Sequence, residues 1–143
     1  MRKIISILVV LGLGYFVVER WDTTASFHHD GPISESSIAE AFQNQKSDAL
    51  VEGRGEVIRV LTDDLDGSRH QRFILRLDSG QTLLIAHNID LAPRLPQLKA
   101  GDLVEFLGEY EWNDRGGVIH WTHKDPQGQH QAGWLKYQGR TYQ

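Results

Sequence analysis

The sequence contains no cysteine. That excludes a disulfide framework, a thiol nucleophile and thiolate metal ligands. An exported domain without cysteine also escapes faulty oxidation, which fits export without demonstrating it. Net positive charge is lacking too: the formal charge over 143 residues is -4. Met1–Trp21 holds Arg2, Lys3, Arg20 and Glu19, a net +2, so the remainder carries -6. Such a domain lacks the overall basic footprint of a tight, non-specific nucleic-acid binder, although a local basic patch can still exist. There is no Gly-rich phosphate loop, no Gly-x-Ser-x-Gly elbow and no His-Glu-x-x-His, so the usual sequence marks of phosphate-loop, serine-hydrolase and zinc-protease chemistry are missing. No internal repeat or low-complexity run is present.

What is there begins with a hydrophobic leader. Arg2 and Lys3 precede an apolar run from Ile4 to Val18, which Glu19 and Arg20 close. A basic start followed by an apolar stretch of ~15 residues is the pattern of a secretory signal, and a span usually needs ~20. Residues 1–21 therefore read as a signal peptide or a membrane anchor, with the uncleaved anchor preferred and Trp21 at the interface. The positive start places the N-terminus inside and the domain on the periplasmic or extracellular side of the cell membrane, or secreted if the leader is cleaved. The membrane is thus one expected partner.

Residues 22–48 read as a linker and a short amphipathic helix. Ser34 is its N-cap, and Ile38, Ala41, Phe42 and Gln45 share one side. From Ala49 the period changes to two. Val51–Leu61 reads as a strand in which Gly53 and Gly55 allow a bend. His70–Leu77 and Gln81–His87 form a hairpin about Asp78-Ser79-Gly80, with Phe73, Leu75 and Leu77 on the core side. Asn88–Ala100, with Pro93 and Pro96, is a loop. Leu103–Trp112 and Val118–His123 are the last two strands, and Lys124–Gln143 is a tail. Five strands with a long connection between the third and fourth predict a mainly β fold over residues 49–143: a small five-stranded Greek-key barrel of the oligonucleotide/oligosaccharide-binding (OB) type. An SH3-like barrel is the rival.

Five histidines lie in the barrel half, at predicted strand ends: His70, His87, His120, His123 and His130. Histidine moves protons near neutral pH or offers a neutral nitrogen to a metal. His70, His87, His120 and His123 are the candidate catalytic residues. On a regular strand His120 and His123 face opposite ways, so they share a site only if the strand ends or bulges near Thr122, as Lys124-Asp125-Pro126 favours. His123, Asp125 and His130 would then lie on one loop, a candidate set for a divalent metal, although the spacing matches no established zinc pattern. Arg69 and Arg72 are candidate phosphate contacts. Asn88 and Trp134 are further candidate substrate contacts, Trp134 as one of several aromatics able to stack. Each group has a plainer reading. His70, Arg72 and Arg76 alternate as a solvated sheet face does, His87 shares the parity of Leu83 and Ile85 and could be a satisfied core histidine, and Asp90 with Arg94 reads as a local pair.

Three segments carry a resemblance: Gly67-Ser68-Arg69-His70-Gln71-Arg72-Phe73, Ala86-His87-Asn88-Ile89-Asp90 and His120-Trp121-Thr122-His123. Through them the chain from about Val51 to its end resembles a bacterial family of short proteins known only as a domain of unknown function. The resemblance implies a compact β domain and brings no activity with it. The acidic turn Asp63–Gly67 and the Ile89-Asp90-Leu91-Ala92-Pro93 step are similar to thermonuclease-type barrels. The turn lacks the Asp-Gly-Asp order, however, and Arg94 stands where that pattern has an acid, so this likeness supports topology rather than a calcium site.

Two functions are expected from different classes. One is a hydrolase, a phosphodiesterase or nuclease, with the histidines as acid, base or metal ligands and nucleic acid or another anionic polymer as substrate. The other is a non-catalytic OB-fold module that binds an anionic ligand, oligonucleotide, glycan or partner protein.

Overall fold

The structure is a computed structural model and describes residues 35–143. The expected leader, the linker and the Ser34 cap lie outside the described residues. A helix, α1 (Glu35–Gln43), precedes seven strands: β1 (Ala49–Val60), β2 (His70–Arg76), β3 (Thr82–Asn88), β4 (Leu103–Glu111), β5 (Val118–His120), β6 (Trp134–Tyr137) and β7 (Arg140–Tyr142). The expected SH3-like rival is not what forms. The strands run in the order β1-β2-β3-β5-β4, and β4 returns to pair with β1, which closes a five-stranded barrel. Its one parallel pairing is β3 with β5, the mark of the Greek-key connection.

Period-two patterning explains the closure. In β2 and β3 alternate residues are buried, so Phe73, Leu75, Leu83 and Ile85 fill the interior and the residues between them face outward. β1 is long because it pairs with β4 over its first eight residues and with β2 at its end. The irregularity that lets it turn between these partners falls at Val57–Arg59 rather than at Gly53 or Gly55. In α1, Ile38 and Ala41 are buried in the same core as Val51, Phe106 and Leu135. The helix end is tied down by the Trp112 indole, which donates to the Phe42 carbonyl at 3.1 Å.

The tail, expected without strands, supplies two. β6 pairs with β4 beside Glu105–Leu107, and β7 returns along β6. Its driving force is again alternation: Leu135, Tyr137 and Tyr142 are buried.

Two buried polar residues tie the loop after β3 to one end of the barrel. Gln71 accepts from the Leu95 amide at 2.9 Å and donates to the Leu95 carbonyl at 3.0 Å. His87, opposite Gln71 in the β2–β3 ladder, reaches the Pro93 carbonyl at 2.9 Å. With Ala92 and Leu95 buried by these ties, Leu91 is left standing out at 44% exposure.

Candidate functional site

The β3–β5 ladder holds only Leu84 with Val118 and Ile85 with Ile119. Beyond that point the strands part, and a cleft of about 350 Å³ opens on the outer face of the barrel. It is lined by His70, Ala86, Asn88, Leu91, Glu109, Glu111, His120, Trp121 and His123. Most of these are the outward members of their strands, which is why strand alternation delivers them to one surface.

His120 and His123 share the cleft because β5 stops at His120. Trp121 adopts φ 55°, the left-handed region that a bulky residue rarely enters. That single residue ends the alternation and turns Thr122 and His123 back toward the barrel. Two glycines give the turn its seat. A Cβ on Gly108 would run into the His120 carbonyl oxygen, and one on Gly133 into that of Trp121. The Gly133 amide donates to the His123 carbonyl at 3.0 Å and completes the anchor. Left-handed backbone at a non-glycine residue persists where the surroundings over-determine it, and such residues cluster at functional sites.

Hydrogen bonds assign the state of each ring. His70 Nδ1 lies 2.8 Å from the Ser68 carbonyl, and His123 Nδ1 lies 2.7 Å from the Lys124 carbonyl. A carbonyl only accepts, so Nδ1 carries the proton in both rings, and in the neutral form Nε2 keeps its lone pair. Neither Nε2 has a partner among the described residues. His123 is only 5% exposed, and no buried side-chain nitrogen goes unpaired among them, so its Nε2 is an atom that meets solvent. His120 Nε2 stands 3.0 Å from Glu111 Oε2. His130, beside the cleft, donates from Nδ1 to the Gln131 carbonyl at 2.8 Å and from Nε2 to Glu109 Oε2 at 2.6 Å. Both partners are acceptors, an arrangement that favours the imidazolium form of His130. Its pKa is raised: burial opposes the charge, but the Gln131 carbonyl and the Glu109 and Asp125 carboxylates outweigh it. The ring stacks on Trp121 at 4.0 Å and 9°.

His87 is a core residue rather than a catalytic one. It is fully buried, and its Nε2–H donates to the Pro93 carbonyl, so Nδ1 accepts from the Thr122 hydroxyl at 2.7 Å. Burial, helped by the nearby His123 and His70, lowers its pKa to about 4. It stays neutral and holds the arm that carries Trp121 and His123.

The remaining expected site residues lie elsewhere. Arg69 is committed to Asp90, through Nε at 2.7 Å and its backbone amide at 2.8 Å. Arg72 donates twice to the Thr62 carbonyl, at 3.1 and 2.9 Å. The expected Asp90–Arg94 pair is replaced: Asp90 takes Arg69 and Arg94 takes Asp63. Trp134 sits on β6 with Lys136 Nζ 4.3 Å from its ring centre, away from the cleft. His123, Asp125 and His130 do not form a metal set. Asp125 accepts the backbone amides of Gln127, Gln129 and His130, which hold its carboxyl below the usual range. Among the described residues no three His, Asp or Glu side chains are placed to hold a metal ion.

Glu109, Glu111 and Leu91 were missed in the sequence. The two glutamates looked like ordinary outward positions of a strand. The available signal was the β4–β5 hairpin register, which sets Glu109 directly across from His120. Asn88 lines the cleft, and its Oδ1 is taken by the Asp90 amide at 2.9 Å.

Fold and site together define a five-stranded OB-type barrel that carries a histidine- and carboxylate-lined cleft on its outer face. The chain belongs to a family described as a protein of unknown function, DUF3465, whose model matches residues 22–143. A search of curated proteins returned no match.

Proposed function

We propose that this protein is a hydrolase that works by histidine acid–base chemistry in the cleft between β3 and β5. The observation that carries this reading is the convergence of His70, from the start of β2, with His120 and His123, from the end of β5 and the turn after it, on one cleft. In the neutral form, His70 and His123 each keep an Nε2 lone pair that has no partner among the described residues and can take the proton of an attacking water. His120, with Nε2 3.0 Å from Glu111 Oε2, gives a proton to the leaving oxygen. The water oxygen bonds to the substrate, the bond to the leaving group breaks, and the two proton transfers balance.

The phosphodiesterase form of this reading loses its expected arginines, since Arg69 and Arg72 are bonded elsewhere. Contact to a phosphate would fall to the Asn88 amide and the His120 ring. The test incubates the purified protein with single-stranded DNA, RNA, bis-p-nitrophenyl phosphate and a set of p-nitrophenyl esters and glycosides, with and without chelator. Turnover that survives chelator and drops by about 100-fold or more in His120→Ala and His123→Gln is expected. No turnover of any probe, or equal turnover by His120→Ala, sinks the hydrolase.

A second reading, a non-catalytic binding module, is favoured by the absence of lysine and arginine from the cleft lining. In either case we propose that residues 1–21 hold or send the domain outside the cytoplasm. A reporter fused after residue 143 that is active only in the cytoplasm would refute that placement.

A further inference from the structure

The cleft does not end at Trp121. A second depression of about 540 Å³ lies on the far side, and Trp121 and Leu91 line both. Its other walls include Pro126, Gln127, Gln129 and His130. Two hollows that share a wall of one indole and one leucine form a continuous groove with a ridge in the middle. A groove of that form suits a chain of repeating units better than a single small molecule.

The chemistry of the groove narrows the kind of chain. Neither depression is lined by lysine or arginine, so a polyanion meets no fixed cation apart from imidazolium. Glu109 and Glu111 each face a histidine through Oε2, and Asp125 is consumed by backbone amides, so a polycation gains little either. What stays unspent among the described residues is the Asn88 amide nitrogen, Nε2 of His70 and His123, the Gln127 and Gln129 side-chain amides, the Trp121 indole N–H and one oxygen each of Glu109 and Glu111. Amides and carboxylate oxygens at the walls suit hydroxyl groups, which both donate and accept. An indole and a leucine on the ridge suit the apolar face of a ring. OB barrels bind both oligonucleotides and oligosaccharides, and here charge decides between them.

We infer that the groove binds a neutral glycan chain, with one sugar unit in the histidine cleft and the next across Trp121 beside Gln127 and Gln129. The inference names the substrate class of the proposed function and rests on reading the cleft as its substrate site.

The test is calorimetric titration of the full chain in a detergent without sugar. The probes are cellohexaose, chitohexaose and maltohexaose with their disaccharides, an oligothymidylate, an oligouridylate and a hexalysine peptide. At least one hexasaccharide should bind at least about tenfold tighter than its disaccharide. Trp121→Ala should weaken the hexasaccharide more than the disaccharide. Because that variant could unsettle the β5 turn, the exposed double variant Gln127→Ala/Gln129→Ala is the second probe and should reduce the hexasaccharide preference several-fold. The inference is overturned if no hexasaccharide binds, if chain length has no effect, or if an oligonucleotide or the peptide binds tighter than every sugar. Turnover is followed separately. Sugar binding without turnover supports this inference and counts against the hydrolase, whereas phosphodiester turnover without sugar binding supports the hydrolase and overturns this inference.

Discussion

Two faces of the barrel carry the same outward polar alternation and differ in what holds it. On the β1–β4–β6 face, Arg54, Glu105 and Lys136 stand in one cross-strand row. No ion pair or hydrogen bond joins these side chains among the described residues, and Lys136 instead lies over Trp134. On the β3–β5–β4 face, Glu109 and His120 also stand in one row, but each histidine of the cleft has a ring nitrogen at a carbonyl or a carboxylate. The first is a solvated sheet face, where long side chains keep their freedom. On the second, carbonyl bonds set the ring orientation and tautomer of His70 and His123 before any ligand arrives. Polar alternation alone therefore does not distinguish the two faces, whereas the carbonyl bonds of His70 and His123 do.

The comparison breaks most severely at the seat of the β5 turn. Gly133→Ala places a methyl group against backbone, at the Trp121 and Leu107 carbonyls, where no side chain can swing away. A loss of about 3 kcal/mol or more is expected, with a Tm fall of roughly 10 °C or more, measured by thermal denaturation. A stability within about 0.5 kcal/mol of the parent would show that the turn is not seated as described.

Next in size is the pH dependence from His87. Its folded pKa of about 4 lies below the unfolded value of about 6.5. Between those values the unfolded chain binds the extra proton, so stability is complete above about pH 6.5 and falls as pH drops toward 4. The full loss is on the order of 3 kcal/mol, read from urea midpoints at pH 7 and 4.5. His87→Gln should be less stable at pH 7 but flatter between the two pH values. An equal slope in that variant would assign the effect to another group.

Much of the barrel was legible because period-two alternation is written directly in residues such as Phe73, Leu75, Leu83 and Ile85. The helix was legible from Ile38, Ala41 and Phe42. β6 and β7 were missed because each is short, and the Gly, Gln and aromatic content of the tail hides the alternation of Leu135, Tyr137 and Tyr142. At the site, His70, His120, His123 and Asn88 were legible as residue types at strand ends. Their convergence was conditional on where β5 stopped, which is set by Gly108 and Gly133 from distant segments. The partners of the arginines were hidden for a related reason. Asp90 and the Thr62 carbonyl are remote in sequence or anonymous in type and hold Arg69 and Arg72, which looked free, while Asp63 takes Arg94, which looked paired with Asp90. His87 could be read either way, and only Thr122 and Pro93 on its two nitrogens decide it.

A finer break concerns the Glu109–His130 pair. The raised pKa of His130 means that its contribution is present below the unfolded histidine value and is lost as pH rises through the folded one. Both partners are partly exposed, so the effect on stability should stay under about 1 kcal/mol. The sharper readout is the ring itself: in Glu109→Gln an NMR titration should show the His130 pKa falling toward the ordinary value. An unmoved His130 would mean that the carboxylate does not hold it.

The smallest expected effect completes the comparison. Arg54→Ala and Lys136→Ala remove charges that no ion pair or hydrogen bond holds among the described residues, Lys136 resting only on the Trp134 ring. Each should change stability by no more than about 0.5 kcal/mol and leave both turnover and sugar binding as they were. If either variant alters binding as strongly as Trp121→Ala, the two faces are not distinct. Preorganisation by carbonyl and carboxylate partners would then no longer be what separates a site from a solvated sheet in this fold.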